Sequence, residues 1–360
     1  MENQNAKNST KTILTIVISL AFAGLFMWLA LRDLDIAKIK ESLAKANYFW
    51  VFGAMIFAIL AYWFRAVRWN LLLEPIGYQI STSNSFWAIS FGYLMNLTIP
   101  RSGELARSTA LFGVEKVPVE KSFGTIILER VVDFVCMLGF LVLTLLFKYD
   151  AILSFYQSAT EEKKKTKIVE PNFFENYLMK MGISDLDGFY FYLKIFIVII
   201  VIAVVVYLFI FKKEKLLGFG KGVLEGLQSI FLLKKKGKFI LLSLAIWVSY
   251  FFAAYLVCFA LPETADFTVA DGFFILVVGT FGMMVPASGG IGAFHLALKL
   301  GISALYLSMN LDPKVGGEVG LSYAFISHTM QLVMTLVLGL VSIVMLAKAR
   351  NQAVNTQNQQ

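Results

Sequence analysis

Charge is scarce in this chain. Asp, Glu, Lys and Arg make up 16% of its 360 residues, against about 25% in a soluble domain. Cysteine is scarcer. Cys136 and Cys258 are the only two, both inside apolar runs, which argues against a disulfide framework or thiolate metal centre and for inert packing thiols. There are two histidines, His295 and His328, and few acids near them in sequence, so no metal site is expected. No His-Glu-x-x-His, Ser-His-Asp or Cys-His arrangement, paired-Asp metal motif or Gly-x4-Gly-Lys-[Ser/Thr] loop is present, so neither a cofactor nor a nucleotide is implied.

Apolar sequence fills the space. Hydrophobic residues reach 58%, with 33 Phe, and they gather in runs of about 20 residues, the length that crosses a hydrocarbon core of about 30 Å. The expected fold is all-α: a polytopic membrane helical bundle of about eight spans. The net charge of +8 then reads as Lys and Arg flanking spans rather than as a nucleic-acid footprint.

In order, residues 1–11 are polar and read as disordered. Residues 13–31 form a first span. Its Ala21-Phe22-Ala23 resembles a signal-peptidase site, but the run continues well past it, so an uncleaved span is expected. A basic connector, 32–47, leads to a second span at 48–64 that closes on Arg65 and Arg68. Residues 85–99 are apolar but short, which fits a re-entrant or half-helix. Residues 101–121 run along or into the membrane surface. The long helix 123–147 carries Glu129, Arg130 and Asp133. Residues 148–189 form a polar loop with a short interfacial helix at 173–181. Spans at 190–211 and 239–261 flank residues 212–238, whose eight lysines mark the cytoplasmic side. Segments 273–285, 291–309 and 320–347 complete the set, and 348–360 is a polar, disordered tail. The count places both termini in the cytoplasm, in a bacterial cytoplasmic (inner) membrane, although the basic connector 32–47 then falls on the wrong side.

Two breaks organise the chain. In residues 92–107, GYLMNLTIPRSGELAR, an apolar run stops at Pro100 and charge follows at once. Pro interrupts the helix, Ser102 and Gly103 suit a new start, and free amides beside Arg101 make an anion corner. Glu104 and Arg107, at i and i+3, can pair. The second break, residues 279–292 (GTFGMMVPASGGIG), centres on Pro286 with Ser288, Gly289, Gly290 and Gly292 behind it. Its glycines admit either close approach to a ligand or close helix packing. His295 follows on the new helix. Pro-Arg-Ser-Gly aligned on Pro-Ala-Ser-Gly suggests an internal repeat, and matching breaks in two halves point to a transporter-like site.

Between the breaks lie Glu129, Arg130 and Asp133, at helical spacing on about one face. Each costs about 2.5–3.5 kcal/mol at a helix centre. Either they form an interhelical lock, such as Glu104–Arg130 or Arg107–Asp133, or they wall a cavity that meets a phosphate. His295 and His328 are either hydrogen-bonded residues between helices or a proton switch.

At these residues the chain resembles the lysylphosphatidylglycerol synthase transmembrane-domain (flippase-like) family. The motifs are Asn96…Pro100-Arg101-Ser102-Gly103-Glu104…Arg107, then Glu129-Arg130-x-x-Asp133, then Pro286…Gly289-Gly290-Ile291-Gly292. Members often carry Glu where this chain has His295. The resemblance implies a membrane lipid as partner, with Arg101, Glu104, Arg107, Glu129, Arg130 and Asp133 lining a headgroup cavity. The bifunctional members add an aminoacyltransferase domain. With the chain ending at Gln360, the expectation is a non-enzymatic, non-ATP-driven translocase of an anionic phospholipid or lipid-linked intermediate. The alternatives are a scaffold for an envelope or glycosyltransferase complex, and an intramembrane lipid-modifying enzyme using Glu129 or Asp133 as base and His295 as acid.

Overall fold

The computed structural model describes residues 28, 36–99, 101–156, 213–285 and 287–357. The expected span at 13–31 (Trp28 apart), the span at 190–211, the interfacial helix at 173–181, and Pro100 and Pro286 themselves lie outside the described residues. What is described is helical, with no strand among those residues.

The helices are α1 (Ile36–Lys45), α2 (Tyr48–Leu73), α3 (Thr82–Thr98), α4 (Gly103–Glu115), α5 (Val119–Phe147), α6 (Lys213–Gln228), α7 (Lys236–Cys258), α8 (Val269–Met284), α9 (Ala293–Ser308) and α10 (Pro313–Gln357). Residues 149–156 are also helical. The chain divides into two units. One holds residues 1–156 and 223–360, and the other, residues 157–222, is described only from residue 213, as the first part of α6.

Among the described residues, five helical stretches are long and apolar enough to cross a bilayer: Tyr48–Ile76, Val119–Phe147, Lys236–Cys258, Ser288–Ser308 and Pro313–Gln352. Helix α3, 17 residues long, is not among them, as its short apolar run suggested. Their ends follow local chemistry. The Asn47 side chain accepts from the Phe49 amide at the start of α2, and Thr268 and Asp271 form a reciprocal capping box on α8. Pro313 opens α10 just after Asp312, which accepts from the Lys314 amide.

Two expected boundaries are corrected. The second span does not close at Arg65 and Arg68, because α2 runs on to Leu73 with both arginines inside it, 2% and 0% exposed. Carboxylates on α5 make that burial tolerable. The tail is not wholly disordered either, since α10 continues to Gln357. Extending a formed helix through Ala, Gln and Lys needs no new nucleus.

The apolar core is built where α2, α7, α8, α9 and α10 meet, around Phe274, Leu298, Ile302 and Tyr323. A second cluster around Trp69, Ile89 and Leu111 packs α3 and α4 against α2. Phe134, Val135, Leu146, Leu340 and Val344 remain exposed on α5 and α10, the apolar outer face a lipid-embedded bundle presents.

Candidate functional site

Each break is a tight helical hairpin. In the first, α3 and α4 approach until a Cβ on Gly92 would lie 2.7 Å from the Gly103 carbonyl oxygen, and one on Gly103 would collide with the Gly92 carbonyl. Asn96 stands at the crossing, where its Oδ1 accepts from the Gly103 amide at 2.7 Å. Ser102 does not cap α4 as expected. Its hydroxyl turns back and donates to the Met95 and Ile99 carbonyls of α3, at 3.0 and 2.8 Å. The anion corner is therefore partly filled from within, by an amide oxygen one turn from the end of α3.

The second hairpin, α8 to α9, turns on Gly289, Gly290 and Gly292, all with positive φ. The space their missing side chains leave is taken by the protein. Leu97 and Leu332 close on Gly289, and Met283 on Gly290. Gly289 and Gly290 thus serve close packing, one of the two uses their spacing admitted. Ser288 is buried in the same turn. His328 Nε2 lies 2.8 Å from the Gly289 carbonyl oxygen. A carbonyl only accepts, so this nitrogen carries the proton. His295, 3% exposed, stacks edge-on to His328 with ring centroids 5.0 Å apart.

The two breaks face each other. Arg101 donates through Nη2 to the Met284 carbonyl at 2.7 Å, tying the first break to the last turn of α8. Leu97 packs against Gly289. Arg101 adopts φ +59°, a left-handed backbone unusual for a side-chain-bearing residue.

The charged residues lie behind the first hairpin as one buried lattice. Arg65 and Arg68 of α2 reach Asp133 on α5, with Nη2 atoms 2.9 and 2.8 Å from its two oxygens. Arg107 of α4 reaches Glu129 at 2.7 Å, and Arg68 stands 3.5 Å from the same carboxylate. The Arg107 guanidinium carbon also lies over the Trp69 ring, 3.6 Å from its centre, a cation–π contact in a dry setting. Trp69 is held in turn by donating to Thr125 at 2.9 Å. Tyr250 and Ser243 of α7 accept from Arg65 and Arg68.

Of the two locks the spacing suggested, Glu104–Arg130 forms, at 3.0 Å with both side chains partly exposed. Arg107 pairs with Glu129 rather than Asp133, because Arg65 and Arg68 already occupy Asp133. Arg130 does not share the buried face of Glu129 and Asp133. It is turned about 100° from Glu129 and its side chain is 45% exposed. The gap between Asn96, Glu104, Arg107 and Arg130 holds about 10 Å³, room for about one water.

Arg65, Arg68, Trp69, Ser243 and Tyr250 were not among the expected site residues. Two arginines at i and i+3 on one helix were the available signal. They read as the basic end of a span because the span was expected to stop there.

Fold and site together define a polytopic all-α membrane protein with two facing broken hairpins and a buried arginine–carboxylate lattice. The model of the family described as the lysylphosphatidylglycerol synthase TM region matches residues 16–339, and the chain belongs to that family. It is also 28% identical over 134 residues to a UPF0104 membrane protein of Methanocaldococcus jannaschii, a match that takes in 36% of this chain and 39% of that protein. No solved structure matches.

Proposed function

We propose that this protein translocates an anionic phospholipid or lipid-linked intermediate without ATP, the lattice being where the headgroup phosphate binds. One observation carries the reading. Among the described residues three arginines are buried (Arg65, Arg68 and Arg107) against two buried carboxylates, Glu129 and Asp133, so the lattice as described holds one cation in excess. Uncompensated buried charge is costly, and a bound anion would complete the set. The guanidinium atoms agree. Arg65 Nε and Nη1, Arg68 Nε, and Arg107 Nε and Nη2 have no hydrogen-bond partner among the described residues. Both Glu129 oxygens sit within charge contact of arginines yet lack hydrogen-bond alignment. Paired but poorly aligned groups can exchange partners.

In this mechanism the Glu104–Arg130 pair and the Arg101–Met284 tie are the outer closures. A phosphate that displaces Glu104 or the Met284 carbonyl meets Arg107 next, then Arg65 and Arg68. Asp133 and Glu129 keep the arginines separated while the site is empty. His295 and His328, packed behind the second break, would carry a proton if translocation is proton-linked. The chain acts as a carrier rather than an enzyme, in the cytoplasmic membrane with both termini inside.

Closure of the lattice supports a second reading, a scaffold for an envelope or glycosyltransferase complex whose charges are purely structural. Fluorescent phosphatidylglycerol in vesicles containing the purified chain separates the two. Translocation lost in Arg107→Gln and Glu104→Gln, with folding retained, supports the carrier. No translocation by the wild-type chain leaves the scaffold.

A further inference from the structure

The seam between α2 and α10, bordered by α1, holds a partly open cavity of about 630 Å³, within the range of sites that hold small ligands. Among the described residues its lining is apolar except for Lys40, Tyr48 and Thr329. Lys40 is exposed and has no ion-pair partner among the described residues, whereas Lys45 on the same helix is bound to Glu41 at 2.6 Å. The cavity is thus a long apolar slot with a free cation at its mouth. Its two main walls, α2 and α10, belong to helices long enough to cross the membrane. Tyr48 at its mouth is the interfacial aromatic that opens α2.

Position along α2 adds a second point. Tyr48 and Arg68 are separated by twenty residues of unbroken helix, about 30 Å of rise, close to the thickness of a hydrocarbon core. The slot and the lattice therefore sit at opposite ends of one spanning helix. Between them on the same seam lies a polar step, the Tyr62 hydroxyl 3.2 Å from Thr335, with Tyr62 one turn from Arg65.

We propose that this slot is an acyl-chain site for an anionic glycerophospholipid, with Lys40 on the phosphate and one chain lying along Met55, Met330 and Val333. It deepens and rests on the carrier reading, as a second lipid station in the leaflet opposite the arginine lattice. Shape and charge each contribute. The apolar wall selects a hydrocarbon chain over a soluble anion, and Lys40 selects an anionic headgroup over a zwitterionic one.

The test uses the full chain in phosphatidylcholine vesicles doped with phosphatidylglycerol bearing a diazirine at the end of one acyl chain, and separately with the matching phosphatidylcholine probe. After irradiation, labelled peptides are mapped by mass spectrometry. Label from the anionic probe is expected to concentrate on Met55, Met330 and Val333, above the lipid-exposed Val131, Val135 and Val142 of α5. Lys40→Gln should lower that label about fivefold, the equivalent of about 1 kcal/mol for one basic residue at an anionic surface, and leave the zwitterionic probe unchanged. Met55→Trp with Val333→Trp should fill the slot and abolish its label. Even labelling of α5 and α10, equal labelling by both probes, or insensitivity to Lys40→Gln overturns the proposal. So does an unlabelled slot covered by the chain's own apolar run at 13–31. Slot labelling without translocation by the wild-type chain would instead sink the carrier reading and leave the lipid site standing.

Discussion

Removing Glu129 separates a structural lattice from a working one. In Glu129→Gln the closest partner of Arg107 loses its charge, and Arg68 loses its second carboxylate. Three buried arginines then face Asp133 alone. Breaking one side of a buried pair costs about 3–5 kcal/mol, and the contact of Arg107 with Trp69, already made in the wild-type protein, offsets none of it. A loss of about 3–5 kcal/mol is expected, read as earlier thermal loss of the monodisperse detergent-solubilised chain. The informative partner is the double variant Arg107→Met/Glu129→Leu. Replacing both charges by apolar groups of similar volume is often neutral or stabilising, so the double variant should recover most of the stability. If the lattice is a headgroup site, translocation stays lost in that recovered protein. Wild-type translocation by the double variant would refute the assignment. Unchanged stability of Glu129→Gln would refute the claim that its arginine pairs stabilise the buried lattice.

Further outcomes follow from the hairpins. Asn96→Ala removes the acceptor for the Gly103 amide and should cost about 1 kcal/mol, seen as faster amide exchange in the first turn of α4. Gly92→Ala places a methyl 2.7 Å from the Gly103 carbonyl oxygen, and no flexible side chain can yield there, so the yield of folded protein should collapse while Gly113→Ala, which meets open space, leaves it intact. His328→Phe keeps the ring but leaves the Gly289 carbonyl without its donor, a loss of about 1–3 kcal/mol for a buried acceptor, whereas His328→Gln should restore part of it. Arg101→Gln loosens the tie between the breaks, and residues 281–292 should then exchange about fivefold faster, the equivalent of about 1 kcal/mol.

Much was determined by sequence alone because apolar periodicity and run length are local properties. The all-α membrane class, the short helix before Pro100, the long charged helix and the positions of both breaks follow from which residues stand within one or two turns of each other. The Glu104–Arg130 pair was one of two locks that helical spacing offered, and spacing did not choose between it and Arg107–Asp133. What only the tertiary structure decided is pairing across the bundle. Arg65 and Arg68 look like the basic end of a span until α5 supplies Asp133 and Glu129, 61 or more residues away in sequence. Arg107 takes Glu129 rather than Asp133 because those two arginines have claimed Asp133. The Ser102 hydroxyl turns back to the end of α3, and Asn96 reaches the Gly103 amide from the facing helix. The glycines of the second break are filled by Leu97 and Met283, side chains no local pattern places there. Helix formation is governed by neighbours in the chain. The partner of a buried charge is governed by whichever opposite charge folding brings within reach, because in a low-dielectric interior an arginine cannot remain alone.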